Sequence, residues 1–169
     1  MIRLRHRLPL LACLLSFSGC GFADAPLPSS ELRGNAEIFD ISCPGNPQQT
    51  TLDIDGCMRT KRAAVEAVEA NYVNTARQRI VAEADDPAGY RQQMLDAFEA
   101  ENRAWDALIA AGTHATGVEW QGGTVRGNKA TYREIMLVEL RIHNQWQNWL
   151  RYEDSTPAVL PEPKFNNEE

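Results

Sequence analysis

Serine is missing from the whole stretch between Cys43 and Asp154. Serine-based acyl transfer therefore has no nucleophile in the body of this chain. Histidine is scarce as well, with only His6, His114 and His143. A catalytic zinc takes about three protein ligands. No H-x-x-x-H or H-E-x-x-H spacing exists here, so no metal site and no cofactor is expected. Past the N-terminus, no apolar run reaches the roughly 18 to 20 residues that span a bilayer. No long stretch alternates apolar and polar residues, so strands leave no clear mark. Positive charge is in deficit, 17 Lys and Arg against 23 Asp and Glu. Nucleic acid, whose phosphates demand cations, is not an expected partner. A cationic partner would instead gain from long-range attraction. Carboxylates are plentiful, but no pair stands out as an acid and a base. No catalytic residue is expected, and the chain reads as a non-enzyme.

What is present begins with an export signal. Arg3, Arg5 and Arg7 precede the apolar run Leu8 to Phe17, the order of a secretory leader. Two cleavage readings stand. In Phe17-Ser18-Gly19-Cys20, two small residues precede a cysteine, as in a lipoprotein signal. Residues 1–19 would then be removed and Cys20 acylated. In Ala23-Asp24-Ala25, an A-x-A site would release a chain beginning at Pro26. Losing the three arginines takes the formal charge from −6 to −9 for a chain starting at Cys20; losing Asp24 as well leaves −8 at Pro26. Acylated Cys20 would give the chain a membrane partner, each buried methylene contributing about 0.8 kcal/mol. Residues 20–38, carrying two prolines and two serines, then read as a tether. The expected location is the periplasm or, with the lipid anchor, the outer membrane.

Cys43 and Cys57 remain after the leader. In an oxidising compartment such a pair is expected to bond, closing a loop turned by Pro44, Gly45 and Pro47. Thr50 or Thr51 then caps a helix, with Asp53 near its positive end. Three amphipathic stripes follow at spacings of three and four. The first is Met58, Val65, Val68, Tyr72, Ala76 and Ile80. Asp86-Pro87 opens the second, which runs Tyr90, Met94, Leu95, Phe98, Trp105, Leu108, Ile109 to Gly112 as C-cap. The third, after Gly127-Asn128, is Tyr132, Ile135, Val138, Ile142, Trp146 and Trp149, ending near Tyr152. The fold class expected is all-α: a small antiparallel bundle of three long helices, with a short N-terminal helix or loop pinned by one disulfide. It would occupy residues 39–154, and residues 155–169 read as a flexible acidic tail.

Taken in order, the Cys pair, Arg103-Ala104-Trp105, Gly122-Gly123-Thr124 and Arg141 resemble the LprI-like lysozyme inhibitor family over about residues 40–150. The resemblance implies a small exported helical protein that binds and inhibits a lysozyme-type muramidase. It makes Arg103, Trp105, Gly122, Gly123, Thr124 and Arg141 structural motif positions, with both arginines paired to carboxylates between helices. A second Cys pair, usual in the family, would fall here on Thr113 and Arg133, so both partners are absent together. Glu66 takes the place of a family Asp in the first long helix. Glu69, Ala70 and Val73 do not match the residues the family favours there.

The loop Glu119-Trp120-Gln121-Gly122-Gly123-Thr124 allows two readings. Trp120 could fold back as an anchor covering the end of the bundle. Alternatively, Glu119 and Trp120 form a contact patch for a protein partner such as a basic lysozyme. A phosphate cradle is not indicated, because the P-loop spacing is missing. An alternative overall reading is an envelope structural or adaptor lipoprotein without lysozyme-inhibiting activity.

Overall fold

The computed structural model describes residues 26–82 and 88–167. The leader, Cys20, the alternative cleavage site, the Asp86-Pro87 turn and Glu168-Glu169 lie outside the described residues. No described helix is long and apolar enough to cross a membrane.

Three long helices dominate: α1 Thr51–Ala82, α2 Ala88–Glu119 and α3 Arg126–Gln145. The start of α1 is set by a reciprocal cap. Thr50 Oγ1 accepts the Asp53 amide at 3.2 Å, and Asp53 Oδ2 accepts the Thr50 amide at 3.0 Å. This satisfies two backbone donors that the first turn cannot pair internally. The helix then runs without a break through Gly56. Cys57, in the second turn of this helix, is bonded to Cys43 in the segment before it. Closing a loop of about 15 residues contributes roughly 3 kcal/mol in the chain-entropy picture.

The cross-links fix the order of the helices. Arg62 meets Glu134, and Glu69 meets Arg141 one stretch further along. The contacts advance in the same direction, so α1 and α3 run parallel. Asp106 meets Arg141 and Asn102 meets Gln145, so α2 runs antiparallel to α3. The core lies mainly between α1 and α3. Val65, Val68, Tyr72, Ala76 and Ile80 from α1 pack with Ile135, Val138 and Ile142 from α3, and Phe98 comes in from α2. The first stripe and the third from Ile135 onward are therefore core faces, whereas Tyr132 at the start of the third is exposed.

The molecule is mostly helical, not all-α. A three-stranded sheet covers the α1–α3 seam, in the order β1 Ser30–Arg33, β2 Ala36–Asp40, β3 Glu162–Asn166. β1 and β2 are antiparallel. Gly34 at φ +63° turns the chain between them, with Asn35 on the ordinary negative side, the pattern of a II′ hairpin. β3 returns from the far end of the sequence to lie parallel to β2. The inner face of β2 carries Phe39, which meets Tyr72 edge-on at 6.3 Å and stacks on Phe165 at 5.8 Å. The Tyr72 hydroxyl donates to the carbonyl of Pro161 at 2.8 Å, tying α1 to the lead-in of β3. Burial pushes that phenol's pKa well above its ordinary value. β1 and the start of β2 thus lie in the stretch read as a tether, and β3 lies in the stretch read as a loose tail. Pro163 misled the reading: an edge strand tolerates a residue that cannot donate to the ladder.

Two helix ends also differ from expectation. Gly112 does not cap α2, which continues seven residues further to Glu119. A Cβ at Gly112 would come within 2.7 Å of Leu137 Cδ1. This glycine leaves room for the Leu137 side chain of α3 against α2, and α2 does not stop here. Gly127 and Asn128 lie inside the first turn of α3. At its other end α3 passes into a π-helical turn, Trp146–Leu150. The wider turn brings Leu150 to full burial and lets the Trp146 indole donate to Leu160 O at 3.0 Å.

Candidate binding site

Three places gather the polar and aromatic residues that could carry function. The first is a buried hub around Arg141. From α3, its Nη1 lies 2.8 Å from Asp106 Oδ1 and 2.6 Å from Glu69 Oε1. Its Nη2 donates to Asn102 Oδ1 at 2.8 Å, and the Gln145 amide donates to the same oxygen at 3.3 Å. One guanidinium thus joins all three helices. Glu69 Oε1 is close to the cation but not aligned for a hydrogen bond. Burial raises the pKa of this carboxyl above its ordinary 4.5, only partly opposed by the Arg141 charge. The fork geometry of arginine suits such a three-way junction. It sets helix register more than it adds stability. Arg141, Asn102 and Gln145 are buried between the helices, while the Asp106 carboxylate at the edge of the hub is open to solvent.

Arg141 therefore pairs between helices as expected. Arg103 does not join it: it is exposed on α2, where its charge acts on Glu99. Trp105 is half-buried and stands outside the central cluster. Glu69, Asn102, Asp106 and Gln145 were missed by the sequence reading. Asp106 and Asn102 stand four apart on α2, and Arg141 and Gln145 four apart on α3. That matched spacing on facing helices was the available signal.

The second place is the α2–α3 corner. Gly122 adopts φ +89°, and the Gly123 amide donates back to the Trp120 carbonyl at 3.0 Å. Thr124 is exposed. Trp120 does not fold over the end of the bundle. It is exposed, with the Lys129 ammonium 5.2 Å from its ring centre, a cation–π contact. Glu119 beside it is exposed at the last turn of α2.

The third place is a groove of about 680 Å³ between the β1–β2 hairpin and the segment after the π-turn. Leu32, Trp146, Tyr152 and Leu160 supply apolar wall, and Asp154 and Glu162 supply carboxylates. The Thr156 amide and hydroxyl hold the Asp154 carboxyl below its ordinary pKa, so it carries charge. Arg79 donates to the carbonyl of Trp149 and stacks 4.4 Å over the Tyr152 ring, fixing one side of the opening. The sequence reading missed this groove, because β1 fell in the expected tether, residues 151–154 in the expected bundle and residues 155–162 in the expected flexible tail.

Among the described residues, no group of three His, Cys, Asp or Glu is arranged to hold a metal ion. His114 is exposed, and His143 lies 5.6 Å from the Trp146 ring. Compared with known proteins, the chain matches no family model, no curated protein and no solved structure.

Proposed function

We propose that this chain is a non-catalytic recognition protein of the cell envelope, exported and anchored through Cys20, that binds and inhibits a lysozyme-type muramidase. The observation that carries the reading is a spatial coincidence. The resemblance assigns a lost Cys pair to positions 113 and 133, twenty residues apart. A Cβ on the neighbouring Gly112 would lie 3.7 Å from Arg133 Nε, so the two positions share one level of the α2–α3 contact. Arg141, another position of the resemblance, is the buried junction of the bundle. Both facts support the reading of a helical scaffold of that type.

The contact surface follows from charge. Muramidases of the host-defence kind are basic, and carboxylates on this chain are the groups that would meet them. Glu119 and Trp120 are the contact candidates from the sequence, but Lys129 beside Trp120 and the exposed Arg126 make that corner cationic. We therefore assign the muramidase contact to the groove rim, where Asp154 and Glu162 stand against Arg151, the single lining cation among the described residues, and Tyr152 is the aromatic.

The test is lysis of a muramidase-sensitive cell suspension. Micromolar full-length chain should slow clearing, and the Asp154→Lys, Glu162→Lys double variant should not. Unchanged clearing with the wild-type chain refutes the inhibitor reading. A second reading, an envelope adaptor without muramidase affinity, is favoured by the cationic, aromatic face of α3. Capture of an envelope partner that survives loss of the groove carboxylates would support it.

A further inference from the structure

The outer face of α3 is apolar where a bundle helix is ordinarily polar. Tyr132, Met136 and Leu140 are 54%, 41% and 53% exposed. Spaced four apart, they form one continuous ridge along the helix. Trp120, 40% exposed, extends the ridge past the helix start through its contact with Lys129. The ridge is edged by exposed Arg126, Lys129 and Arg133.

Three exposed cations within eight residues are notable in a chain of net charge −6. The carboxylates near them are few and mostly occupied. Glu134 faces α1 and pairs with Arg62. Glu139 is turned to Asn167, and burial raises its pKa, opposed by that hydrogen bond and by Lys61. Glu119, exposed beside Trp120, is the carboxylate next to the start of the ridge. The ridge residues line none of the grooves described for this molecule. A row of Trp, Tyr, Met and Leu bordered by Lys and Arg is complementary to a partner that is both apolar and anionic.

We infer that the α3 ridge docks on an anionic lipid surface. The apolar side chains would enter the headgroup–acyl boundary, and Arg126, Lys129 and Arg133 would reach the phosphates. The inference is independent of the muramidase reading. It uses the opposite kind of surface, and it holds whether or not Cys20 is acylated.

Trp120 reports on the contact directly. Full-length chain is mixed with vesicles of equal parts phosphatidylglycerol and phosphatidylcholine whose acyl chains carry bromine. Part of the tryptophan fluorescence should be quenched, and Trp120→Phe should remove that part, because Trp105, Trp146 and Trp149 lie elsewhere. Pure phosphatidylcholine vesicles should give at least tenfold less quenching. Each interfacial cation contributes about a fivefold change in partitioning. Substituting Arg126, Lys129 and Arg133 together by Gln should thus weaken binding by about a hundredfold. Replacing the distant Arg59, Arg103 and Arg151 should change it far less. All six side chains are exposed, so circular dichroism of each variant should match the parent. Quenching that survives Trp120→Phe, equal response to both vesicle types, or equal loss in the two triple variants overturns the proposal.

Discussion

α1 and α2 have the same length, 32 residues each, and they do different work. α1 buries a full stripe, from Cys57 to Ile80, against α3 and the sheet. Among the described residues of α2, only Phe98, Asn102 and Gly117 are buried, and two of its apolar residues, Tyr90 and Leu108, are largely exposed. The difference teaches that similar helical periodicity does not mean similar burial. α1 is covered on one side by α3 and on another by the sheet, whereas α2 touches mainly α3. Stability should therefore concentrate in α1, α3 and the sheet, and α2 should be held by a few specific contacts.

The largest effect is expected where α1 meets the sheet. Tyr72→Ala removes a fully buried ring and should cost about 3 to 5 kcal/mol in urea unfolding. Tyr72→Phe, which loses only the hydrogen bond to Pro161, should cost about 1 kcal/mol. Equal losses in the two variants would mean that the ring packing against Phe39 is unimportant.

Next comes the junction that holds α2. Arg141→Ala leaves Glu69 without its cation and should cost about 3 to 5 kcal/mol, as for other buried pairs broken on one side. The disulfide should follow. Cys43→Ser with Cys57→Ser should cost roughly 3 kcal/mol. A reduced chain with an unchanged midpoint would remove it from the account.

Smaller effects sharpen the comparison. Gly112→Val should cost about 1 to 3 kcal/mol through crowding against buried Leu137. Gly127→Ala, with open space around it, should gain about 0.5 to 1 kcal/mol from helix propensity. If both substitutions stabilise, α2 and α3 are not closely packed at Gly112.

The pH dependence gives the finest test. Glu69 has a raised pKa in the folded state, so folded chain holds this proton more tightly than unfolded chain. Its contribution is present below about 4.5 and is lost as pH rises through the higher folded value. Glu69→Gln should flatten the fall in stability just above pH 4.5, measured by urea titration across that window. A parent whose stability does not fall there faster than the variant's would contradict the assignment.

Much of the helical body was legible from residues. The stripes Val65–Ile80 and Ile135–Ile142 are long enough for period 3.6 to outweigh local noise. The cap at Thr50 and Asp53 and the bond between Cys43 and Cys57 are local chemistry that sequence displays directly. The sheet was not legible, because its strands have four or five residues and its parallel pair joins opposite ends of the chain. Neither Ala36–Asp40 nor Glu162–Asn166 means much until Phe39 and Phe165 are known to stack. Gly112 carried the wrong signal for a physical reason: a glycine that ends a helix and one that lets two helices touch look identical in sequence. The candidate groove was hidden with the sheet, whereas Trp120 was found by its loop position, and of the two readings left open for it the folded-back anchor is the one the structure excludes.

The central functional claim is recognition of a basic muramidase through the carboxylates beside the sheet. Isothermal titration of such an enzyme into the full-length chain tests it most directly. The account predicts saturable binding that weakens with added salt and disappears in the Asp154→Lys, Glu162→Lys variant. No heat of binding, or binding indifferent to those two reversals, would contradict it.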